Sequence, residues 1–417
     1  MTIKNNPFLS STFLKIWKDH FIDNEQEVLL DEFPGLEFYQ AKAGVYINAG
    51  RNLTKGISYD PNFSNGLNLK NKVVLLYDVP EYFDIPSREL PENIEFHKIK
   101  QYPGFMIELK KFKGYEDFLA QRFSKSSRYK LKKYKKRLET SFDITYRMYG
   151  TDIDETTYKT LFTNFKALLD KRFDDKEIYN NNLDPAEWNF YQEVVYPMMK
   201  EGKAGIFVVE DKGIPVCVTL CYFSEKVIFD AITVFDIDYG KFHPGSVTLM
   251  GLLEWAFQNQ YDILDLTKGY FDYKTRWMTD SYPFHYHLYY DRSSLRSNIT
   301  GKVMKSYFEL KQTMREKNYN EKLHKLTFLI NKKPKISVEQ PVSFQFENVE
   351  SRPNNSDLIE IPSENGISPL YKQVLFEFLY LFQDNAYKTK IYSYSNEQHV
   401  LLIEGENNLK KVLFQIQ

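Results

Sequence analysis

The sequence predicts a mixed α/β (α+β) fold in which helices flank a sheet. Three observations carry that prediction: the apolar period changes from helical to twofold near residue 204, three strand-like segments follow one another through tight polar turns, and helical spacing returns after a glycine-bearing loop. At 417 residues the chain exceeds one ordinary core and suits two or three domains. Hydrophobic residues make up 42% and aromatics 16%, enough for a packed interior. A net charge of -1 gives no global pull toward nucleic acid or anionic membrane, so any such affinity must rest on a local patch.

Residues 1–105 read as an N-terminal accessory domain, with a helix over Ser11–Phe21, a strand near Lys72–Tyr77 and turns at Pro34-Gly35, Asp60-Pro61 and Asn65-Gly66. Residues 106–295 hold the main domain, its core between about Gly114 and Asp291. Leu119, Phe123, Leu131, Tyr134 and Leu138 recur at helical spacing among basic residues, and Tyr158, Leu161, Phe162, Phe165, Leu168 and Leu169 mark a second helix. A third opens at Asp184-Pro185, an N-cap followed by proline, with Glu187 placed for a capping box and Gly202 as the stop; Pro197 should loosen its last turn. Ala204–Glu210, Ile214–Phe223 and Val227–Phe235 then read as an antiparallel meander. His243-Pro244-Gly245-Ser246 leads into a helix carrying Leu249, Leu252, Leu253, Ala256 and Phe257; strands Ile263–Leu266 and Phe284–Tyr290 follow, separated by a polar-aromatic loop. Residues 296–332 read as a helical extension, 333–366 as a linker rich in Pro, Ser, Asn and Glu, and 367–417 as a small α+β unit.

Cys217 and Cys221, the only cysteines, lie four apart in one strand, roughly 13 Å from each other on one face and too far for a disulfide. Two reduced thiols fit a cytoplasmic protein. Met1–Trp17 lacks a signal-peptide core, and Val374–Phe382 is about half the length of a membrane span, so no transmembrane segment is expected.

The order of three strands, glycine loop, helix and further strand has a chemical consequence. A helix N-terminus beside a sheet offers unpaired N–H groups and a positive dipole end to an anion. Ser246, Val247 and Thr248 would supply those donors, Gly245 would allow close approach of a phosphate, and Lys241 could add a charge-assisted contact. Pro-Gly-Ser before a helix is also a common junction with no ligand.

Ala204–Tyr290 resembles the GNAT N-acyltransferases, and within them the CelD-like branch related to Fem-type peptidoglycan aminoacyltransferases. The residues that carry the resemblance are Phe229-Asp230, Asp236 with Tyr239, His243-Pro244-Gly245, Trp255-Ala256, Asp262–Gly269, and Tyr273-Lys274 with Trp277; the basic helix Phe123–Leu138 resembles that branch's opening helix. The resemblance implies a splayed sheet, acetyl-CoA or a longer acyl-CoA as donor, and direct attack of an amine on the thioester. It also implies that the N-terminal domain is a degenerate copy of the same fold. In one place the chain departs from the pattern: Pro244 removes a backbone donor and leaves only Gly245 of the two small residues usual in the pyrophosphate loop.

An alkyl amine with a pKa near 10.4 is neutral only about once in a few thousand molecules at pH 7, so a base must take its proton. Asp236, at the end of the third strand, and Asp265, at the mouth of the fifth, are the candidates; each could equally cap a turn. The resemblance gives Tyr273 or Tyr239 the role of protonating the departing thiolate. Backbone N–H groups at Val234 and Phe235 are candidate oxyanion donors, and Lys274 a candidate contact for phosphate or carboxylate.

Nine Lys or Arg between Arg122 and Arg137, with no acid, could grip RNA or acidic lipid headgroups, although an intact apolar stripe reads more simply as a solvated helix face. His285 and His287 share one strand face, but no Cys or further His stands at ligand spacing, so no metal is expected. The expected partners are therefore acyl-CoA and an amine-bearing small molecule, peptide or lipid. A tRNA partner enters only if aminoacyl-tRNA is the donor, and membrane contact would be peripheral. A non-catalytic binding protein that docks through the basic helix is the reading from a different class.

Overall fold

The computed structural model describes residues 3–22, 27–63, 69–176, 184–316, 343–362, 367–397 and 400–415. In chain order the helices are α1 (Ser11–Phe21), α2 (Tyr115–Arg122), α3 (Lys125–Ser141), α4 (Glu155–Lys176), α5 (Pro185–Lys200), α6 (Pro244–Gln258), α7 (Asp272–Trp277), α8 (Leu295–Glu316) and α9 (Pro369–Phe382). The strands are β1 (Glu27–Leu29), β2 (Glu37–Gln40), β3 (Val45–Asn48), β4 (Val73–Pro80), β5 (Ile94–Glu108), β6 (Ile144–Tyr149), β7 (Ala204–Asp211), β8 (Ile214–Phe223), β9 (Val227–Phe235), β10 (Ile263–Lys268), β11 (Asp280–Asp291), β12 (Ser343–Asn348), β13 (Leu358–Ile361), β14 (Lys390–Tyr394), β15 (Val400–Glu404) and β16 (Leu409–Gln415).

Among the described residues β1 to β11 form one eleven-stranded sheet in the order β1-β2-β3-β4-β11-β5-β10-β9-β8-β7-β6. The N-terminal strands are not a separate sheet. Fifteen-residue β5 joins the halves, pairing with β11 along most of its length and with β10 at its end. The joint burial of both halves shows in one core cluster, where Phe8 and Phe13 of the N-terminal segment pack edge-to-face on Tyr222 of β8. On the opposite face of β7 to β10, α6 lays Leu249, Met250, Leu252 and Leu253 against Phe207, Cys217 and Leu264. Cys217 and Cys221 are both free and buried.

The strand that positions everything else is β9. It pairs in parallel with β10 over only three residues, Val227–Phe229 against Ile263–Asp265. Beyond Asp230 the two strands part, giving the sheet its splay. Just there β9 bulges, since Leu220 faces Ile232 while Cys221 faces Asp230 and leaves Ala231 unpaired. The Asp236 amide donates to the Val216 carbonyl, so by antiparallel alternation Ile232 and Val234 point their N–H groups at β8. Those of Thr233 and Phe235 face the open side.

Two sequence expectations need correction. The basic stretch is two helices, because Phe123 is extended and Ser124 caps a new helix by accepting from the Ser127 amide. Apolar spacing continues across that break and conceals it. Residues 343–348 and 358–361, read from composition as linker, are β12 and β13, the edge strands of a five-stranded C-terminal sheet. Their side chains are mostly exposed, so their composition is polar, which is common in edge strands. The part of the expected helical extension beyond residue 316 lies outside the described residues. No helix among the described residues is long and apolar enough to cross a membrane.

The C-terminal sheet carries α9, which docks on the main domain through a shared core of Leu138, Phe142, Phe242 and Val247 with Val374, Phe376, Phe378 and Leu379. Arg137 lies 4.2 Å over the ring of Tyr380, and Phe142 meets Phe376 at 5.1 Å between centroids.

Candidate functional site

The splay is flanked by two clusters of charge. On the α6 side, a 3₁₀ turn (Ile237–Phe242) is capped by Asp236, which accepts from the Asp238 amide at 3.0 Å. Lys171 of α4 bridges Asp236 at 2.5 Å and Asp238 at 2.6 Å, and Lys372 of α9 reaches Asp238 at 2.6 Å. Burial opposes ionisation of Asp238, but its bonds to Lys171 and Lys372 prevail and hold its pKa below the usual carboxylate value. Lys241 pairs with Glu377 of α9 at 2.7 Å. Tyr239 donates its hydroxyl to Asp211 at 3.0 Å and packs on Phe142 and Phe376. Asp236, Tyr239 and Lys241, which the sequence offers as site residues, thus brace the loop and the C-terminal unit.

The start of α6 is largely self-satisfied. His243 adopts a left-handed conformation with φ 53°, and its carbonyl accepts from the amides of Ser246 and Val247 at 3.0 and 3.2 Å. Val247 and Thr248 are buried, and the Thr248 hydroxyl donates to the Pro244 carbonyl at 2.9 Å. The Ser246 and Val247 amides, predicted as anion donors, are thus engaged at His243, whereas the Gly245 amide, expected only to allow close approach, has no partner among the described residues. Gly245 also lets the helix lie against Phe235, since a Cβ there would stand 3.3 Å from that ring. Arg172 of α4 stacks 4.2 Å over the Phe235 ring and has no hydrogen bond or ion pair to a described residue.

On the β10 side the charges are buried and come from both halves of the chain. Asp265 is 0% exposed. Tyr82 donates to it at 2.7 Å, Tyr282 at 2.6 Å and the Thr267 amide at 2.7 Å. Burial is the leading influence on its pKa and pushes it up to about 6 against those three bonds. Gly104 of β5 makes the arrangement possible, because a Cβ at that position would overlap the Tyr282 ring. Asp78 of β4, fully buried, accepts from Lys268 at 2.5 Å, from the Asn52 amide at 3.0 Å and from the Thr54 hydroxyl at 3.1 Å. Lys274 is 3% exposed and donates to the carbonyls of Lys268 and Thr267 at 3.0 and 3.3 Å; burial pulls its pKa down to about 8. Asp230, at the fork of the splay, accepts from Thr233 at 2.8 Å, and burial raises its pKa. Tyr273 of α7 is 38% exposed, makes no hydrogen bond to a described residue, and lies in the fields of Asp230 and Arg172.

Of the predicted residues, the structure sets Asp265 and Lys274 together in the buried β10 cluster, brings Phe235 and Gly245 into contact on the α6 flank, and puts Tyr273 in the fields of Asp230 and Arg172. It turns the Val234 amide to β8 and holds Asp236, Tyr239 and Lys241 in the bracing network. Lys55, Asp78, Tyr82, Arg172 and Lys268 were not visible as site residues. Tyr82 and Asp265 are 183 positions apart, so no local spacing could have linked them.

A 390 Å³ cavity opens beside this cluster rather than in it, lined by Val79–Ile85, Lys98, His285 and His287. Tyr82 is common to the cavity wall and the Asp265 cluster. His287 is 2% exposed and shares a 2.7 Å hydrogen bond with the Tyr59 hydroxyl. Among the described residues no group of three His, Cys, Asp or Glu could hold a metal ion.

Residues 125–275 match the family model of the acetyltransferase (GNAT) domain. The chain thus carries a GNAT acetyltransferase domain on a mixed α+β fold with a splayed central sheet and a C-terminal α+β extension. Loose likenesses among solved structures include FemX, at TM-score 0.47 and 10% identity over 72% of this chain and 95% of that one. A conserved protein of unknown function from Bacteroides thetaiotaomicron gives 0.41 and 11% over 69% and 92%. A tandem GNAT protein from the clavulanic acid biosynthesis pathway gives 0.31 and 10% over 60% and 77%. No curated protein matches the chain.

Proposed function

We propose that this chain transfers an acyl group from acyl-CoA to an amine at the fork between β9 and β10. The observation that carries the reading is the splay itself: a strand edge with the Thr233 and Phe235 amides unclaimed by β8, facing a buried cluster of acid, phenol and lysine. A thioester lying along that edge would place its carbonyl oxygen within reach of the Phe235 N–H. Such a donor contributes about 2.7–4 kcal/mol to an oxyanion transition state. Arg172 and the Gly245 amide, both without a partner among the described residues, are donors on the α6 flank that could meet the anionic end of the donor.

The amine lone pair attacks the thioester carbon, the carbon–sulfur bond breaks as the tetrahedral oxyanion collapses, and CoA leaves as thiolate. The attacking nitrogen must lose a proton. Asp265 is the proton acceptor in this reading; it is ionised at neutral pH if its pKa lies at about 6. Being fully buried it cannot touch the amine, so the half-buried Tyr82 hydroxyl relays the proton by passing its own to Asp265. In this reading Tyr273 protonates the thiolate.

Purified protein given acetyl-CoA and a panel of amines should release free thiol in step with N-acetyl product. Gly245→Trp should abolish CoA binding in calorimetry. Product formation that requires aminoacyl-tRNA and ignores acetyl-CoA would replace this donor. The feature that would favour that outcome is the exposed row Lys125, Lys130, Lys132 and Lys136 on α3.

A further inference from the structure

Lys55 lies in the segment between β3 and β4. It is 9% exposed, and its ammonium has no hydrogen bond and no ion pair to any described residue. Burying such a charge is unfavourable unless something compensates it. The segment leaves it little freedom. Thr54 is pinned by its hydroxyl to Asp78, and the Ile57 amide donates to the Asp78 carbonyl at 3.0 Å. Gly56, at φ 154°, sits so close to Pro80 and Phe83 that a Cβ would stand 2.8 Å from the proline ring. The backbone thus fixes Lys55 against the turn that carries Tyr82.

Its electrostatic neighbours are Lys268, Asp78, Glu187 and Lys274, and Asp230 feels both Lys274 and Lys55. Asp78 is already spent on Lys268, the Asn52 amide and Thr54, and no described carboxylate stands within ion-pair distance of Lys55. Three lysines meet four carboxyls here (Asp78, Asp230, Asp265 and Glu187), so the cluster has no surplus positive charge to hold a dianion. It has one unpaired ammonium beside unpaired acid.

We infer that Lys55 receives the carboxylate of a zwitterionic acceptor, so that the amine acylated at the fork belongs to an amino acid or a closely similar amino-carboxylate. The inference rests on the acyl-transfer reading of the fork and deepens it by naming the acceptor class. A carboxylate at Lys55 supplies the missing counter-charge, while Asp230 and Asp265 offer the negative surroundings that an arriving ammonium needs before it gives up its proton. Burial pulls the Lys55 pKa down to about 8, the direction expected of an ammonium awaiting its partner. The N-terminal half, through Lys55, Asp78 and Tyr82, thereby forms the acceptor wall of a site whose donor wall is β9.

The test compares free amino acids (glycine, L-alanine, L-glutamate and β-alanine) with their carboxamides. Full-length protein is used, both for acetyl transfer from acetyl-CoA and for direct calorimetric binding without donor. At least one acid should outperform its own amide tenfold or more in kcat/KM or Kd. Lys55→Met should erase that preference by bringing kcat/KM and Kd for the acid down to those of its amide, and Lys55→Arg should restore part of it. Thermal melts establish that both variants fold. Amides matching acids throughout, or a preference that survives in Lys55→Met, overturns the inference while leaving acyl transfer intact. If acetyl-CoA supports no transfer to any acceptor, the donor-free binding decides: acid-selective binding lost in Lys55→Met upholds the anion site, and its absence overturns it.

Discussion

The two flanks of the splay carry similar residues and treat them differently. Beside α6, Lys171, Lys372 and Lys241 each meet a carboxylate, and the network ties the 3₁₀ turn to α4 and to the C-terminal unit. Beside β10, Lys268 pairs with Asp78, but Lys274 caps strand carbonyls, Asp265 rests on two phenols, and Lys55 has no hydrogen bond or ion pair among the described residues. Paired charge holds the fold together; unpaired buried charge is tolerated where a ligand completes it. The contrast separates a braced loop from a buried cluster; in the proposed reading the cluster serves the acceptor, while Arg172 and the Gly245 amide serve the donor from the braced side.

The sharpest way to break this comparison is to unseat the braced flank. Phe376, buried against Phe142 and Tyr239, should cost about 3–5 kcal/mol of stability on truncation to alanine, read from urea unfolding. A loss under about 1 kcal/mol would mean that α9 does not hold the turn in place. On the other flank, Asp265→Asn should lower acyl transfer about 100-fold or more while leaving the fold intact. The wild-type rate should rise with pH through about 6 and the variant should lose that limb.

Stability should follow acid with opposite signs on the two flanks. The pKa of Asp265 is raised in the folded state, so its favourable contribution is fully present below the unfolded value near 3.9 and fades as pH rises through about 6. The pKa of Asp238 is lowered, so its contribution is present above the unfolded value and is lost as pH falls through its folded one. Denaturant unfolding across pH 4 to 6 should show Asp265→Asn gaining relative to wild type as pH rises; parallel curves would remove Asp265 from the buried-acid role.

Smaller effects sharpen the same contrast. Lys171→Met strands Asp236 and half of the Asp238 pairing, and should cost about 1–2 kcal/mol after allowance for partial exposure. Lys55→Met removes an unpaired buried charge and should stabilise the unliganded protein by about 1 kcal/mol. Two lysine-to-methionine changes of the same sign would erase the distinction between the flanks. Lys241→Ala, at an exposed pair, should change stability by less than about 1 kcal/mol.

Period and turn chemistry made the meander legible. Expected strands at Ala204–Glu210, Ile214–Phe223 and Val227–Phe235 lie within a residue of β7, β8 and β9, and Ser11–Phe21 is α1 as read. Short helices escaped notice: α7 has six residues, too few for a periodic signal, and it places Tyr273 and Lys274. Of the site, Asp265 was visible as a strand-end acid. Its raised pKa was not, because that comes from complete burial in the folded chain.

The order of strands, loop and helix was written in the sequence, because apolar period and turn residues act over a few positions and need no distant partner. Which charges would be paired was decided only by the tertiary structure. Desolvation and Coulomb attraction depend on distance in space, and β5 carries the N-terminal half across the sheet so that Lys55, Asp78 and Tyr82 arrive beside residues some two hundred positions away.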